Sequence, residues 1–269
     1  MIDCTLITAI YDLTKYNNNC NKYSSLINSE NYEILMSLPV YMVIYTNNGI
    51  GLNILKPIRD KYKLSDKTLF IEKELEELEI YKYVEKVRYN REMWWATRDN
   101  RTCAESHIIC CNKFKFVLDI IELNPFNTSK FGWIDGNAGV KIAGTNNIKI
   151  CENYESNKIL YVLNNITDKF HIQIMNVCDK KYKLLENKRE YYEQYRWVVC
   201  GCFFTCSKLI GQNILSRLYE NFIATTELGY GHGEEMLYLE ILDEYYDDIY
   251  RSYGDYGQII NNFIEPRLC

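Results

Sequence analysis

Short, continuous runs of apolar residues alternate with segments of mixed polarity along the first third of the chain. The apolar runs cover residues 5–11, 40–45 and 67–71, and each has the length of a buried strand. The segments between and after them are predicted as helices at residues 30–36, 52–62 and 72–87. Apolar strands that alternate with helices are typical of a parallel sheet covered on both faces. The pattern therefore predicts an α/β fold with a mixed, mostly parallel central sheet flanked by helices.

The rest of the chain is less regular. A long helix is predicted at residues 103–123, and it ends before Pro125 because the residue preceding a proline is disfavoured in a helix. Residues 201–207 are predicted as a turn that leads from a strand into a helix. Further strands are predicted at residues 131–134, 146–150, 158–163, 196–200 and 250–260, and further helices at residues 208–225 and 234–245. There is no internal repeat or linker, so residues 1–269 are predicted to form a single domain.

Composition and charge exclude several classes of protein. The 269 residues are 47% apolar, which is enough for one sizeable core. The net charge is −5 and the chain has no basic stripe, so we expect no nucleic-acid partner. No apolar run approaches the ~18 residues of a membrane span, and we expect no targeting peptide.

The cysteines indicate a reducing compartment. Their number, 11, is odd and their spacing is irregular, which argues against a disulfide framework. The chain has no Cys-x-x-Cys pair, so we expect no structural zinc site. Cys200, Cys202 and Cys206 lie in an apolar setting with no histidine near them in sequence, and we expect inert thiols. We therefore expect a cytoplasmic protein.

Oxygen ligands stand directly after the strand predicted at residues 131–134. Asp135 and Asn137 flank Gly136, which allows the backbone to turn. In open α/β sheets, ligands bind outside the carboxyl ends of the strands. An acid and an amide at such an end are suitable ligands for Mg²⁺ or Mn²⁺. The alternative is a strand that simply ends in an Asp-Gly turn.

A second group of polar residues follows a glycine-rich loop. His232 and Gly233 precede Glu234 and Glu235, which begin a predicted helix. Capping alone would account for the two acids, because a helix N-terminus favours negative charge. In the functional alternative, one of them is a general base, and His232 binds a metal or a phosphate. The patterns around His107 and His171 indicate packing residues.

Cations precede the strand that ends at Asp135. Arg98 and Lys113 have the charge to bind a diphosphate, and the alternative is a solvated helix face. The order of all these segments resembles the HtrL/YibB-like family, whose members are expected to be glycosyltransferases. The segments that carry the resemblance are residues 5–12, 112–114, 124–126, 131–136, 201–204 and 233–235.

The resemblance implies a GT-A fold, which is a single Rossmann-like domain. It also implies a nucleotide-binding half at residues 1–137 and an acceptor-side half at residues 138–269. The implied donor-binding residues are Thr8, Ala9, Tyr11, Arg98, Lys113, Trp133 and Asp135. The implied metal ligands are Asp135, Asn137 and His232, and the implied catalytic base is Glu234 or Glu235.

The expected activity is sugar transfer from a nucleoside-diphosphate sugar to a hydroxyl group on a glycan or protein. A UDP-hexose or a UDP-N-acetylhexosamine is the expected donor, and Mn²⁺ or Mg²⁺ the expected cofactor. Two alternatives stay open. One is a non-catalytic nucleotide- or glycan-binding protein. The other is a nucleotidyltransferase on a similar α/β scaffold, which would need more carboxylates around the metal.

Overall fold

A seven-stranded sheet forms the centre of the protein in the computed structural model. The structure describes residues 2–16, 32–47, 49–94, 102–136, 155–175, 188–193, 198–254 and 259–264. The strands are β1 (Cys4–Ile10), β2 (Tyr41–Thr46), β3 (Thr68–Glu72), β4 (Lys130–Ile134), β5 (Phe170–Ile174), β6 (Val199–Ser207) and β7 (Ile249–Tyr253).

The strand order in the sheet is β3-β2-β1-β4-β6-β5-β7. Neighbouring strands are parallel except at the two borders of β6, which is antiparallel to both β4 and β5. The chain winds from β1 outward to β3 and then returns to β4 on the other side of β1. This reversal is a topological switch point, where the carboxyl ends of β1 and β4 border a crevice. The predicted α/β fold with a mixed, mostly parallel sheet is confirmed.

Helices cover both faces of the sheet. They are α1 (Glu33–Met36), α2 (Lys56–Lys61), α3 (Val84–Met93), α4 (Ala104–Leu123), α5 (Ser156–Asn164), α6 (Lys188–Tyr192), α7 (Lys208–Glu227), α8 (Glu234–Leu237), α9 (Leu239–Glu244) and α10 (Ile259–Ile264). Within the residues described, no helix is both long enough and apolar enough to cross a membrane.

Each face of the sheet has its own core, because successive side chains of a strand point to opposite faces. On β1, Ile7 packs with the long helices α4 and α7, whereas Leu6 and Ile10 pack with α2, α5 and α10. Both faces of the sheet are therefore buried at its centre, which explains why β1, β2 and β4 are mostly apolar.

Helix α4 confirms the long helix predicted at residues 103–123. Cys103 caps its first turn by accepting a hydrogen bond from the backbone N–H of Ser106. The helix ends at Asn124, which has a left-handed backbone with φ of 41°. Its buried side chains include His107, Cys111 and Lys113.

One predicted element is wrong in type, and a second differs in its form of helix and its bounds. Residues 158–163 were expected to form a strand but belong to helix α5, where Ile159, Val162 and Leu163 form a buried stripe at helical spacing. The helix predicted at residues 72–87 is replaced by two short 3₁₀ helices, Leu75–Glu77 and Glu79–Tyr83, and α3 begins only at Val84. The strand predicted at residues 146–150 lies outside the described residues.

The segment at residues 201–207 is also corrected, because it is the greater part of β6 rather than a turn. Its pairing with β5 is interrupted: Phe204 is opposite Ile172, and Cys200 is opposite the next residue, Gln173. The backbone at residues 201–203 therefore bulges away from β5 while Phe203 still pairs with β4. The predicted edge strand at residues 250–260 is shorter than expected, since β7 is followed by α10.

Candidate functional site

A fully buried lysine lies at the centre of the site. Lys113 extends from α4, and its Nζ atom donates to Glu234 Oε1 at 2.6 Å and to Asp135 Oδ1 at 3.1 Å. It also donates to the carbonyl oxygen of Gly201 at 2.9 Å. An ammonium group has three N–H donors, and all three have acceptors here.

Four elements bring these groups together. Lys113 lies on α4, Asp135 directly follows β4, Gly201 lies in the bulge of β6, and Glu234 begins α8. A Cβ atom at position 201 would lie 3.2 Å from Oε1 of Glu234 and 3.6 Å from Nζ of Lys113. A glycine at the bulge thus lets the β6 backbone approach the ion pairs closely.

The electrostatics of the site favour a charged lysine. Burial on its own lowers the pKa of Lys113, but the negative charges of Asp135 and Glu234 outweigh it and raise the pKa well above its usual value. One ammonium and two carboxylates leave a formal charge of −1 in this cluster. A cation bound there would therefore meet a favourable field, whereas an isolated anion would be repelled.

Asp135 is held from two sides. Its Oδ1 atom accepts a hydrogen bond from Trp133 Nε1 at 2.7 Å, in addition to the one from Lys113. Its backbone N–H donates to the carbonyl oxygen of Cys202 at 2.8 Å. The ammonium of Lys113 also lies 5.6 Å from the ring centroid of Trp133. Both side-chain hydrogen bonds use Oδ1, and the side chain is 26% exposed, so Oδ2 is the oxygen left for a ligand.

Gly136 brings the end of β4 against the end of β1. A Cβ atom at this position would lie 2.5 Å from the carbonyl oxygen of Ala9 and 2.4 Å from Cγ1 of Ile10. The Gly136 backbone is not in the left-handed region. The glycine is required for close approach, rather than for the turn that the sequence predicted. Asp135 consequently lies at the switch point between the two strands.

The structure separates the residues predicted on β1. Ala9 and Tyr11 pack into the same core as Trp133, on the face of the sheet that α4 covers, and the Tyr11 ring stacks on Phe116 at 6.5 Å. Thr8 points to the opposite face by strand alternation and is fully buried. Thus Lys113, Trp133, Asp135 and Glu234 form one cluster that Thr8 does not join. Arg98 and Asn137 lie outside the described residues.

His232 lies in a different group of side chains. It is buried, and its Nε2 atom lies 3.1 Å from the hydroxyl of Thr226. Its ring centroid is 4.8 Å from that of His107, and potential metal-ligating atoms of His107, Cys111 and His232 lie within 4.8 Å of one another. Asp135 is not a member of this group. His107 and Cys111 are four residues apart on a helix, a spacing that the sequence interpretation did not use.

A family model described as "Bacterial protein of unknown function (HtrL_YibB)" matches residues 2–225. Among solved structures, the apo form of mouse xyloside xylosyltransferase 1 is similar, with a TM-score of 0.43 and 10% sequence identity. That similarity covers 92% of this chain and 84% of the mouse chain. No curated protein matches the sequence. The family match includes Lys113 and Asp135 and ends before Glu234.

Proposed function

We propose that this chain, which belongs to the HtrL/YibB family, is a glycosyltransferase of the GT-A type that uses a nucleoside-diphosphate sugar. The observation that supports this function best is the cluster of Lys113, Asp135 and Glu234 beside the end of β4. That position is the switch point of the sheet, where open α/β proteins bind their ligands. The order β3-β2-β1 is also that of a mononucleotide-binding half, and β4 lies on the other side of β1.

The proposed donor is a UDP-hexose or a UDP-N-acetylhexosamine, and Asp135 is its main contact. The hydrogen bonds from Lys113 and Trp133 hold Oδ1 and orient the carboxylate. Oδ2 is then available for a ribose hydroxyl or for a metal ion. Ala9 lies near the end of the adjacent strand and Tyr11 directly follows it, and both pack on the same face of the sheet, which supports a place for them beside the nucleoside.

Of the predicted metal ligands that the structure describes, only Asp135 lies in this cluster. Its carboxylate is a suitable ligand for a divalent cation. The cluster carries a formal charge of −1, so an anionic diphosphate needs additional positive charge to bind there. Mn²⁺ or Mg²⁺ would supply that charge and stabilise the departing diphosphate. Lys113 cannot replace the metal in this role while its three donors are occupied by protein acceptors.

Glu235 is the better candidate for the catalytic base. Glu234 is buried at the start of α8, whereas Glu235 is partly exposed there and can be reached by an acceptor. In an inverting transfer, the acceptor hydroxyl would give its proton to this carboxylate. The hydroxyl oxygen would bond to the anomeric carbon as the bond to the diphosphate breaks. The acceptor class in this proposal is a glycan or a protein.

In this proposal, residues 1–137 bind the donor and residues 138–269 bind the acceptor. Lys113 joins the two, because it contacts Asp135 in one half and both Gly201 and Glu234 in the other. The described cysteines are free thiols, which supports a reducing, cytoplasmic compartment.

Thermal stability in the presence of nucleotides tests the donor site. UDP-glucose, UDP-galactose and UDP-N-acetylglucosamine would each be added with and without Mn²⁺ or Mg²⁺. A donor at 100 times its Kd should stabilise the protein by ~2.7 kcal/mol. We expect Asp135→Asn to lose this effect and Asp168→Asn, at an exposed surface acid, to retain it. If no nucleotide stabilises the wild-type protein with either metal, the glycosyltransferase proposal is wrong.

Turnover separates an enzyme from a binding protein. UDP release from the donor identified by stabilisation would be measured for the wild type and for Glu235→Gln and Glu234→Gln. The proposal expects Glu235→Gln to bind the donor normally and to release UDP about 10²–10⁴-fold more slowly. Full activity in Glu235→Gln would exclude this residue as the base. Donor binding without any transfer or hydrolysis by the wild type would favour the non-catalytic alternative.

A further inference from the structure

A second cluster of chemically reactive side chains lies close in sequence to the proposed site. It consists of His107 and Cys111, one turn apart on α4, and of His232 in the loop before α8. All three side chains are buried, and their candidate ligand atoms lie within 4.8 Å of one another. Sγ of Cys111 is 3.5 Å from Nε2 of His107.

We propose that His107, Cys111 and His232 bind a zinc ion. Two imidazole nitrogens and one thiolate sulfur are ligands that Zn²⁺ prefers, and a water molecule would complete the tetrahedron at the fourth position. Zn–N and Zn–S bonds of ~2.0 and ~2.3 Å at tetrahedral angles place neighbouring ligand atoms ~3.5 Å apart. The observed separation of Sγ and Nε2 has this value, so the two ligands on α4 need little movement to share a metal.

The hydrogen bonding of His232 supports a ligand rather than a packing residue. Both ring nitrogens are buried, and Nδ1 has no well-formed hydrogen bond to the described residues beyond the contact of the ring with the backbone of the adjacent Gly233. Buried polar atoms in native proteins are rarely left without a partner. Thr226 contacts the other nitrogen of the ring and can orient it, as residues behind metal-binding histidines commonly do.

The protonation states of the three side chains define the binding reaction. Burial lowers the pKa of His107 and of His232, so both imidazoles are neutral and their lone pairs are available. Burial raises the pKa of Cys111, so this side chain is a thiol before metal binds. Zinc binding therefore forms the Zn–S bond and releases the thiol proton to solvent. The resulting thiolate offsets part of the metal charge, which matters because Arg91 repels a cation at both rings.

The proposed zinc would connect the two segments that carry the ion pair of the site. Cys111 precedes Lys113 by two residues on α4, and His232 precedes Glu234 by two residues. A metal held by both segments would maintain the approach of Lys113 to Glu234 at the point where α8 begins. This role is structural, and it does not depend on which donor the protein uses.

Metal content provides the first test. The wild type and the variants Cys111→Ser and Cys110→Ser would be purified with zinc, dialysed, and analysed by atomic spectroscopy. Cys110 is the adjacent thiol on α4 and is not part of the cluster, so its variant is the matched control. We expect the wild type and Cys110→Ser to retain stoichiometric zinc, and Cys111→Ser to lose it. Equal retention by both variants would overturn the proposal.

A second measurement uses the wild-type protein alone and does not depend on the folding of any variant. The protein would be stripped of zinc and loaded with Co²⁺, which reports its ligands by visible absorption. We expect a thiolate-to-cobalt charge-transfer band and a lower Tm after the metal is removed. A protein without that band, and with the same Tm before and after a chelator, does not have this site. Asp135→Asn should lose donor binding and keep its zinc, so the two proposals can fail separately.

Discussion

At the scale of single residues, a buried lysine is stable only where carboxylates compensate for its lost hydration. Lys113 is fully buried, and two acids and one carbonyl surround its ammonium group. The arrangement holds Asp135 and Glu234 close to each other because the lysine lies between them. Removing the lysine would leave two like charges at a partly desolvated position, which is more costly than losing one hydrogen bond.

We predict that Lys113→Met lowers the free energy of unfolding by about 3 kcal/mol, because the two carboxylates lose the charge that compensates them. Lys115→Met is the matched control. It changes a half-exposed lysine two residues away that pairs with Asp119, and it should cost less than about 0.5 kcal/mol. Urea denaturation at neutral pH measures both values. Similar stabilities of the two variants would contradict the account of the buried cluster.

Gly136 provides a second test at this scale. We predict that Gly136→Ala destabilises the protein by about 1–3 kcal/mol, since its Cβ atom would overlap the rigid carbonyl of Ala9. Gly132→Ala, inside β4, is the comparison. Its Cβ atom would first meet the flexible Leu6 side chain at 3.3 Å, so its cost should be smaller. Thermal unfolding measures the loss of stability in both variants. A greater loss of stability in the variant at position 132 would refute the close-approach argument.

At the scale of elements, the end of α4 determines where β4 begins. Asn124 terminates the helix in a left-handed conformation, and its side chain also hydrogen-bonds to the backbone of Thr128. Its Oδ1 atom accepts from the Thr128 N–H at 3.0 Å, and its Nδ2 atom donates to the Thr128 carbonyl at 3.1 Å. Asn124 thereby connects the two ends of the loop between α4 and β4, and β4 starts at Lys130.

We predict that Asn124→Ala costs about 2 kcal/mol or more, because alanine is strained in the left-handed region and cannot make the two loop hydrogen bonds. Asn124→Gly loses the same hydrogen bonds but adopts the backbone conformation without strain. It should therefore be about 1 kcal/mol more stable than the alanine variant. Chemical denaturation compares them, and equal stabilities would show that the backbone conformation has no part in the effect.

At the scale of the whole molecule, buried histidines make stability depend on pH. His171 lies on β5, where Nε2 is 2.6 Å from the hydroxyl of Ser252 on β7 and the ring packs on Phe263 of α10. Burial lowers its pKa from 6.5 to about 3. The folded protein therefore keeps this ring neutral at pH values where the unfolded chain binds a proton.

Because the unfolded state binds more protons, the stability that His171 contributes is complete above pH 6.5 and decreases as the pH falls toward 3. At pH 5 the loss should be about 2 kcal/mol relative to neutral pH. We predict that His171→Gln removes this part of the pH dependence, while the contributions of all other groups are retained. Denaturation of the wild type and of the variant at pH 7, 6 and 5 gives the pH dependence of the free energy of unfolding of each. Parallel curves for the two proteins would contradict the prediction.

Much of the fold could be predicted because it depends on local spacing. The strand β1, the long helix α4 and the helix α7 follow from runs of apolar residues and from Pro125. Helix α5 was missed because a short apolar run with isoleucine and valine also suits a strand. The β6 segment was missed because its glycine suggested a turn, whereas in the sheet it allows a bulge. The family resemblance is confirmed by the match over residues 2–225.

By itself, the sequence determined the alternation of strands and helices, the position of Asp135 at a strand end, and the family. These features depend on neighbouring residues, whose spacing and backbone preferences act locally. Only the tertiary structure decided that Lys113 meets Glu234, 121 positions away, and that His232 joins His107 and Cys111. Such contacts depend on how α4 packs on the sheet and on how far β6 bulges toward α8. Packing energies of many distant residues determine that geometry together, and no local pattern in the chain specifies it.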